Sequence, residues 1–150
     1  MMLLQTSSRT QLLEWATEFA NDVADTYRPD CIILFGSVAR GEQTRSSDID
    51  LIVIGGDLPE NQRERFRTLM ALRPRFAPIQ VQSFTRTEWN QMRSERHLTA
   101  LESLNDGILL HGKALFKGWR RQFKRWQQQG LHRDVSAWIL PVARSQIGKQ

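Results

Sequence analysis

Two short groups of residues in the first third of the chain have the types and spacing needed to handle a phosphate group and a metal ion. Gly36-Ser37 comes first, and Asp48-Ile49-Asp50 follows after ten further residues. Glycine lets a ligand approach the backbone closely, and Ser37 offers a hydroxyl and an N–H to phosphate oxygens. Two carboxylates at positions i and i+2 of a strand point to one side, where a bound cation relieves their repulsion. The pattern predicts metal-assisted phosphoryl chemistry, with Mg²⁺ between the acids and a substrate phosphate.

Short apolar segments flank both groups and predict the strands that position them. Cys31–Phe35 leads into Gly36, and residues 51–54 follow Asp50. Each segment is aliphatic and bounded by turn residues, which is typical of a buried strand. The glycine and serine are therefore expected where one strand ends, and the two aspartates where the next one begins.

The rest of the pattern predicts an α/β fold, a small twisted mixed β-sheet with helices packed on it. Ser8 is a candidate N-cap for a first helix, and the residues up to Arg9 are expected to be frayed. Residues 78–84 alternate as a half-buried strand does, and residues 85–106 carry two helical segments before a short strand at 108–110.

A further helix is expected after Pro59, because proline suits the first helical turn. Its predicted inner face is formed by three apolar residues, Phe66, Leu69 and Met70. The interleaved arginines Arg63, Arg65 and Arg67 are expected to lie in solvent.

The charge is distributed unevenly along the chain. Residues 1–112 carry 12 Lys and Arg against 15 Asp and Glu, whereas residues 113–150 carry nine against one. This division predicts a catalytic domain over residues 1–112. A basic aromatic helical extension over residues 113–150 would pack on that domain or project from it.

Aromatic residues recur at helical spacing along this extension, with cations between them. The aromatic set is Phe116, Trp119, Phe123 and Trp126, and the cations are Lys117, Arg120, Arg121, Lys124 and Arg125. Two interpretations remain open. The aromatic residues pack on the body and the cations are solvated, or the cations contact nucleic-acid phosphates while an exposed tryptophan stacks on a base.

Composition limits where the protein is expected to work. There is a single cysteine, Cys31, so no internal disulfide forms, and its place in a predicted strand suggests a buried thiol. The apolar stretches are too short to span a bilayer, and no secretory segment follows Met1. We therefore expect a cytoplasmic protein with no membrane partner.

The wording of the two motifs resembles that of a known family. Gly36-Ser37-Val38-Ala39-Arg40-Gly41 and Ser47-Asp48-Ile49-Asp50-Leu51 are similar to the signature of the DNA polymerase β-type nucleotidyltransferase superfamily, in its minimal nucleotidyltransferase branch. The resemblance covers roughly residues 30–112. It implies the nucleotidyltransferase fold.

The same resemblance implies Mg²⁺-dependent transfer of a nucleoside monophosphate from a nucleoside triphosphate, with ATP as the expected donor, to an acceptor hydroxyl. Gly36, Ser37, Arg40 and Ser47 are then expected to bind the nucleotide. Asp48 and Asp50 are expected to be catalytic and to hold the metal. Because the branch includes antitoxins that adenylylate helical HEPN toxins, a HEPN-like partner protein is the expected acceptor.

The sequence departs from the family on the third strand. Members that catalyse usually carry a third carboxylate there, and matching this chain places Gln80 at that position. A glutamine amide can ligate a metal through oxygen but cannot accept a proton near neutral pH. The alternative function is therefore a catalytically impaired nucleotidyltransferase-fold module that binds nucleotide, RNA or a partner protein without turnover.

Overall fold

The computed structural model describes residues 8–134 and 137–140, and within these ranges the chain forms six helices and six strands. The elements are α1 (Arg9–Tyr27), β1 (Cys31–Phe35), α2 (Gly36–Arg40), β2 (Ile49–Ile54), α3 (Gln62–Met70), β3 (Ile79–Phe84), α4 (Arg86–Ser94), α5 (Leu98–Asp106), β4 (Ile108–His111), α6 (Lys113–Gln128), β5 (His132–Arg133) and β6 (Trp138–Ile139). The predicted α/β class, with a mixed sheet and packed helices, is confirmed.

The sheet places the two motifs at one of its ends. Four strands lie in the order β3-β2-β1-β4, with β1 antiparallel to both of its neighbours and β2 parallel to β3. Since β1 runs toward the end of the sheet from which β2 starts, Gly36 after β1 and Asp48 before β2 meet there. Phe35 and Asp50 are register partners across this pair.

Alternating side chains divide the core into two layers, one on each face of the sheet. On the first face α1 and Leu69 of α3 pack against Ile32, Leu34 and Val53. On the second face α4, α5 and α6 pack against Ile33, Ile52 and Ile54. Cys31 lies in this second layer, and burial raises the pKa of its thiol to about 12, so it is not a nucleophile.

The helix α6 belongs to the second core layer. Its four aromatic residues are buried, with Trp119 only 6% exposed and Trp126 only 8% exposed. Neither Trp119 nor Trp126 is therefore the exposed tryptophan that the nucleic-acid interpretation needs, and the packing interpretation describes this face of the helix. A domain boundary at residue 113 stays a prediction. Residues 135–136 and 141–150 of the extension lie outside the described residues.

The inner face of α3 differs from the expected one. The helix begins at Gln62 with Asn61 as its N-cap, and Phe66 remains 45% exposed. Arg65 lies inward instead, only 2% exposed, and donates from Nε to the Ser83 hydroxyl at 3.0 Å. Hydrogen bonds within the fold satisfy the guanidinium, so its burial does not leave a bare charge in the core.

No helix within residues 8–134 and 137–140 is both long enough and apolar enough to cross a membrane.

Candidate active site

The backbone of Gly36 lies directly against the carboxylate of Asp50. Gly36 has a left-handed φ of +80°, and a Cβ built on it would overlap Asp50 Oδ2. Only glycine fits this position without displacing the carboxylate, because it has no Cβ and tolerates positive φ. The glycine thus joins the start of α2 to the start of β2.

Two serines from the ends of the connecting loop meet beside this contact. The Ser37 hydroxyl donates to Ser47 Oγ at 3.1 Å, although ten positions separate them in the sequence. Ser47 Oγ also accepts from the Thr44 backbone N–H at 2.7 Å, and Thr44 Oγ1 lies 3.3 Å from it. The loop is therefore folded back on α2, and three hydroxyls form one polar cluster next to the aspartates.

The two aspartates differ in their surroundings. Asp48 is exposed, whereas Asp50 is partly buried at the first position after the start of β2. Burial raises the pKa of the Asp50 carboxyl above its ordinary value of 3.8, the neighbouring Asp48 charge raises it further, and Arg40 opposes the shift. Asp50 is thus a carboxylate whose ionised form gains from a nearby cation.

The donor set fits a metal that shares its ligands with a substrate. Within the described ranges, no group of three or more His, Cys, Asp or Glu side chains could hold a metal ion. Asp48 and Asp50 are hard oxygen donors, and Mg²⁺ is typically held by one or two carboxylates, with water and substrate phosphates completing its shell. The residues present therefore fit Mg²⁺ bound together with a nucleotide better than a closed all-protein site.

A polar cleft of about 240 Å³ opens next to Asp48. Its walls come from α1, from the loop before β2 and from the residue before β3, namely Leu12, Thr44, Arg45, Ser46, Ser47, Asp48 and Pro78. Pro78 is anchored there because its carbonyl accepts a hydrogen bond from the backbone N–H of Ile49 at 2.7 Å. The cleft gives a ligand access to the serine and aspartate side of the site.

Arg40 is held within an acidic environment on α2. Its Nε donates to Glu42 Oε1 at 2.8 Å, and this bond raises the pKa of the guanidinium, with smaller contributions from Asp106 and Glu102 on α5. Its positive charge also acts on Asp50. The guanidinium thus lies within electrostatic range of Asp50 while forming an ion pair with Glu42.

Gln80 lies beside Asp50. The two residues are register partners on the parallel strands β2 and β3, and Gln80 is exposed. Ile79 and Val81, on either side of it, are buried against α1 and α3. The residue of β3 next to the aspartates is therefore an amide, and its side chain is accessible to solvent and to a ligand.

The sequence pattern does not predict one residue that holds α2 in place, Arg9. Arg9 was expected to lie in a frayed segment, and that expectation is wrong, because Arg9 is the first residue of α1. Its Nε donates to the Val38 carbonyl at 2.9 Å and its Nη2 to the Ala39 carbonyl at 3.0 Å. A cation at the C-terminal end of a helix is favourable, and this one fixes α2 against α1. No local pattern could predict it, since its partners lie 29 and 30 positions away.

Comparison with known proteins shows the family to which this fold and its two motifs belong. A family model described as nucleotidyltransferase domain matches residues 16–104. The chain belongs to this family. Its relatives place it in the minimal nucleotidyltransferase branch, as the resemblance of its motifs implied.

The curated relatives are two proteins of Methanocaldococcus jannaschii, MJ0604 and MJ1379, both assigned as protein adenylyltransferases. The chain is 50% identical to MJ0604 over 40 residues and 46% identical to MJ1379 over 48 residues. These segments are 25% and 32% of this chain. The chain spans less than half the length of these relatives, 40% and 45% respectively.

A solved structure shares the fold. A toxin–antitoxin complex crystallised with AMP-PNP contains a chain that matches with a TM-score of 0.51 at 20% identity, over 75% of this chain and 86% of that one.

Proposed function

We propose that this protein is an Mg²⁺-dependent nucleotidyltransferase that moves adenosine monophosphate from ATP to a hydroxyl on a partner protein, with pyrophosphate as the leaving group. The observation that carries the proposal is the contact between Gly36 and Asp50. It brings the phosphate-binding part of the site and its metal-binding part together, as attack on a nucleotide phosphate requires.

Each residue of the two motifs then has a distinct role. The Ser37 and Ser47 hydroxyls, 3.1 Å apart, bind phosphate oxygens, and Gly36 leaves room for the phosphates beside the backbone. Arg40 supplies positive charge near the same oxygens. Asp48 and Asp50 would hold Mg²⁺, which would polarise the phosphate that is attacked.

The acceptor is proposed from the comparisons. Both curated relatives are assigned as protein adenylyltransferases, which favours a protein hydroxyl over a nucleic-acid or small-molecule hydroxyl. The complex that shares the fold is a toxin–antitoxin pair with an ATP analogue. We therefore propose a HEPN-like toxin as the partner and an antitoxin role for this chain.

The proton of the acceptor hydroxyl needs a destination that Gln80 does not provide. The amide beside Asp50 cannot act as a base, so within this constellation the proton leaves to water or to one of the two aspartates. This observation favours a second candidate function, in which the domain binds nucleotide and partner without turnover.

The test is transfer of label from α-³²P-ATP to protein. The chain is incubated with a candidate HEPN-like protein, with and without Mg²⁺, and the products are separated on a denaturing gel. We expect Mg²⁺-dependent labelling of the partner, and none with Asp48→Asn or Asp50→Asn. Nucleotide binding by the parent with no label on any acceptor would overturn the transferase and establish the binding module.

A further inference from the structure

Five cations form one continuous stripe on the outward side of α6. At 3.6 residues per turn, Lys113, Lys117, Arg121, Lys124 and Arg125 fall within an arc of about 120° and extend about 18 Å along the helix. All five are exposed, and Ala114 and Gln128 are the exposed neutral residues that share this arc. We call these five cations the α6 basic stripe.

Among the residues that the structure describes, no acidic side chain forms an ion pair with the stripe. The ion pairs within the described part of the chain involve none of its five residues. The segments outside it, residues 1–7, 135–136 and 141–150, contain no Asp or Glu side chain that could do so. Arg120 on the same helix is different, because it donates to the carbonyls of Leu104 and Asn105 at the end of α5 and is not part of the stripe.

The composition of the α6 surface argues against a protein partner and against a lipid surface. Protein interfaces bury aromatic or aliphatic anchors at their centre and are depleted of lysine there. The aromatic residues of α6 are buried, and the guanidinium groups of Arg93 and Arg96 lie over the rings of Trp119 and Trp126 at 5.2 and 4.3 Å. Without exposed large apolar side chains on α6, insertion into a lipid surface is also disfavoured.

We infer that the α6 basic stripe binds the sugar–phosphate backbone of a nucleic acid. Regularly spaced cations on a polar face satisfy the requirement for backbone contacts, which carry no base information. The binding is consequently independent of sequence, since no tryptophan of α6 is available to stack on a base. This surface is separate from the aspartate site and does not depend on catalysis there.

The experiment measures binding of a labelled mixed-sequence 20-nucleotide RNA by fluorescence anisotropy as salt is varied. Four of the cations, each neutralising one phosphate, give a slope of log K against log salt of about −3, or about 50-fold weaker binding at 200 than at 50 mM salt. The variant that reverses Lys117, Arg121, Lys124 and Arg125 to Glu should lose this binding and its salt dependence.

A matched control separates the stripe from total charge. Reversing four exposed arginines on the other side of the molecule, Arg63, Arg67, Arg73 and Arg75, changes the net charge equally and should leave RNA binding within about threefold of the parent. If the control set weakens binding as much as the stripe set, the inference is wrong.

Two further arms decide the outcome without relying on the reversal variant. Replacing the same four cations with glutamine keeps the helix propensity and should also abolish binding, with circular dichroism reporting the fold. Duplex DNA should bind by the same backbone chemistry. RNA binding by the parent protein that does not depend on salt would overturn the inference. Equally tight binding to polyglutamate would also overturn it and would favour an acidic protein surface as the partner.

Discussion

Asp50 and Gln80 are register partners on neighbouring parallel strands, and the pleat directs both side chains to the same face of the sheet. A carboxylate at position 80 would therefore stand next to the two aspartates. The amide there retains a metal-ligating oxygen and removes the proton acceptor.

The first prediction concerns this pair. Gln80→Asp should raise the rate of label transfer by roughly 10²–10⁴-fold, the usual contribution of general-base assistance. The matched control is Gln82→Asp, two residues further along the same face, where the register partner is Ile52 and no aspartate is adjacent. Equal rates for the Gln80→Asp variant and the parent would mean that another group takes the proton.

The second prediction concerns the contact between Gly36 and Asp50. Gly36→Ala should abolish Mg²⁺-dependent ATP binding, because the added Cβ overlaps Asp50 Oδ2, and should destabilise the fold by at least about 1–2 kcal/mol for the left-handed backbone. Isothermal titration calorimetry and denaturant unfolding measure the two effects.

Gly118→Ala in α6 is the control for that substitution. The nearest atom to a Cβ there is Arg121 Nη2 at 3.7 Å, which is ordinary contact, and the alanine should stabilise the helix by up to about 1 kcal/mol. Intact nucleotide binding by Gly36→Ala would refute the close packing of the two motifs.

The third prediction is a gain of stability on removing a functional charge. Asp50→Asn should raise the melting temperature in metal-free buffer at neutral pH, because the ionised carboxylate is disfavoured by burial and by Asp48. Each kcal/mol gained corresponds to roughly 2–4 °C for a chain of this size.

The sign of the pH dependence follows from the direction of the shift. Since the folded-state pKa of Asp50 lies above its ordinary value of 3.8, the parent binds more protons folded than unfolded in that window, and its stability falls as pH rises through it. The advantage of Asp50→Asn should therefore shrink as pH is lowered. An advantage that is the same at every pH would indicate a cause other than ionisation.

The fourth prediction concerns the buried guanidinium of α3. Arg65 donates to Ser83, to the Glu60 carbonyl at 2.6 Å and to Glu88 Oε1 at 2.9 Å. Arg65→Met should lower the free energy of unfolding by about 2–3 kcal/mol, because the buried Ser83 hydroxyl loses its donor and two partly buried hydrogen bonds are lost. Exposed Arg63→Met is the control and should change the stability by less than about 0.5 kcal/mol. A difference of less than about 1 kcal/mol between the two variants would contradict the structural role of Arg65.

Many of the helices and strands can be predicted from residues that are close together in the sequence. The strand at Cys31–Phe35, the alternation of residues 79–84 and the N-cap at Ser8 all form where the sequence predicts them. These signals involve residues a few positions apart, so the chain near each position contains the information. Gly36, Ser37, Asp48 and Asp50 lie at the end of β1 and the start of β2, where the neighbouring segments of the sequence predict them, and their roles in binding and catalysis stay predictions.

Other features exist only because distant segments meet. Nothing near Arg9 or Arg65 distinguishes these side chains from solvated arginines, and their acceptors are supplied by α2, β3 and α4 after the sheet has formed. Likewise, the sequence pattern of an amphipathic helix with aromatic and basic faces does not predict which of its aromatic side chains are buried against the rest of the protein. The packing of α6 against the sheet buries Trp119 and Trp126 and leaves the lysines and arginines of the stripe outside. Local pattern thus determined the elements and the motif, whereas long-range packing decided which charges are buried and which face solvent.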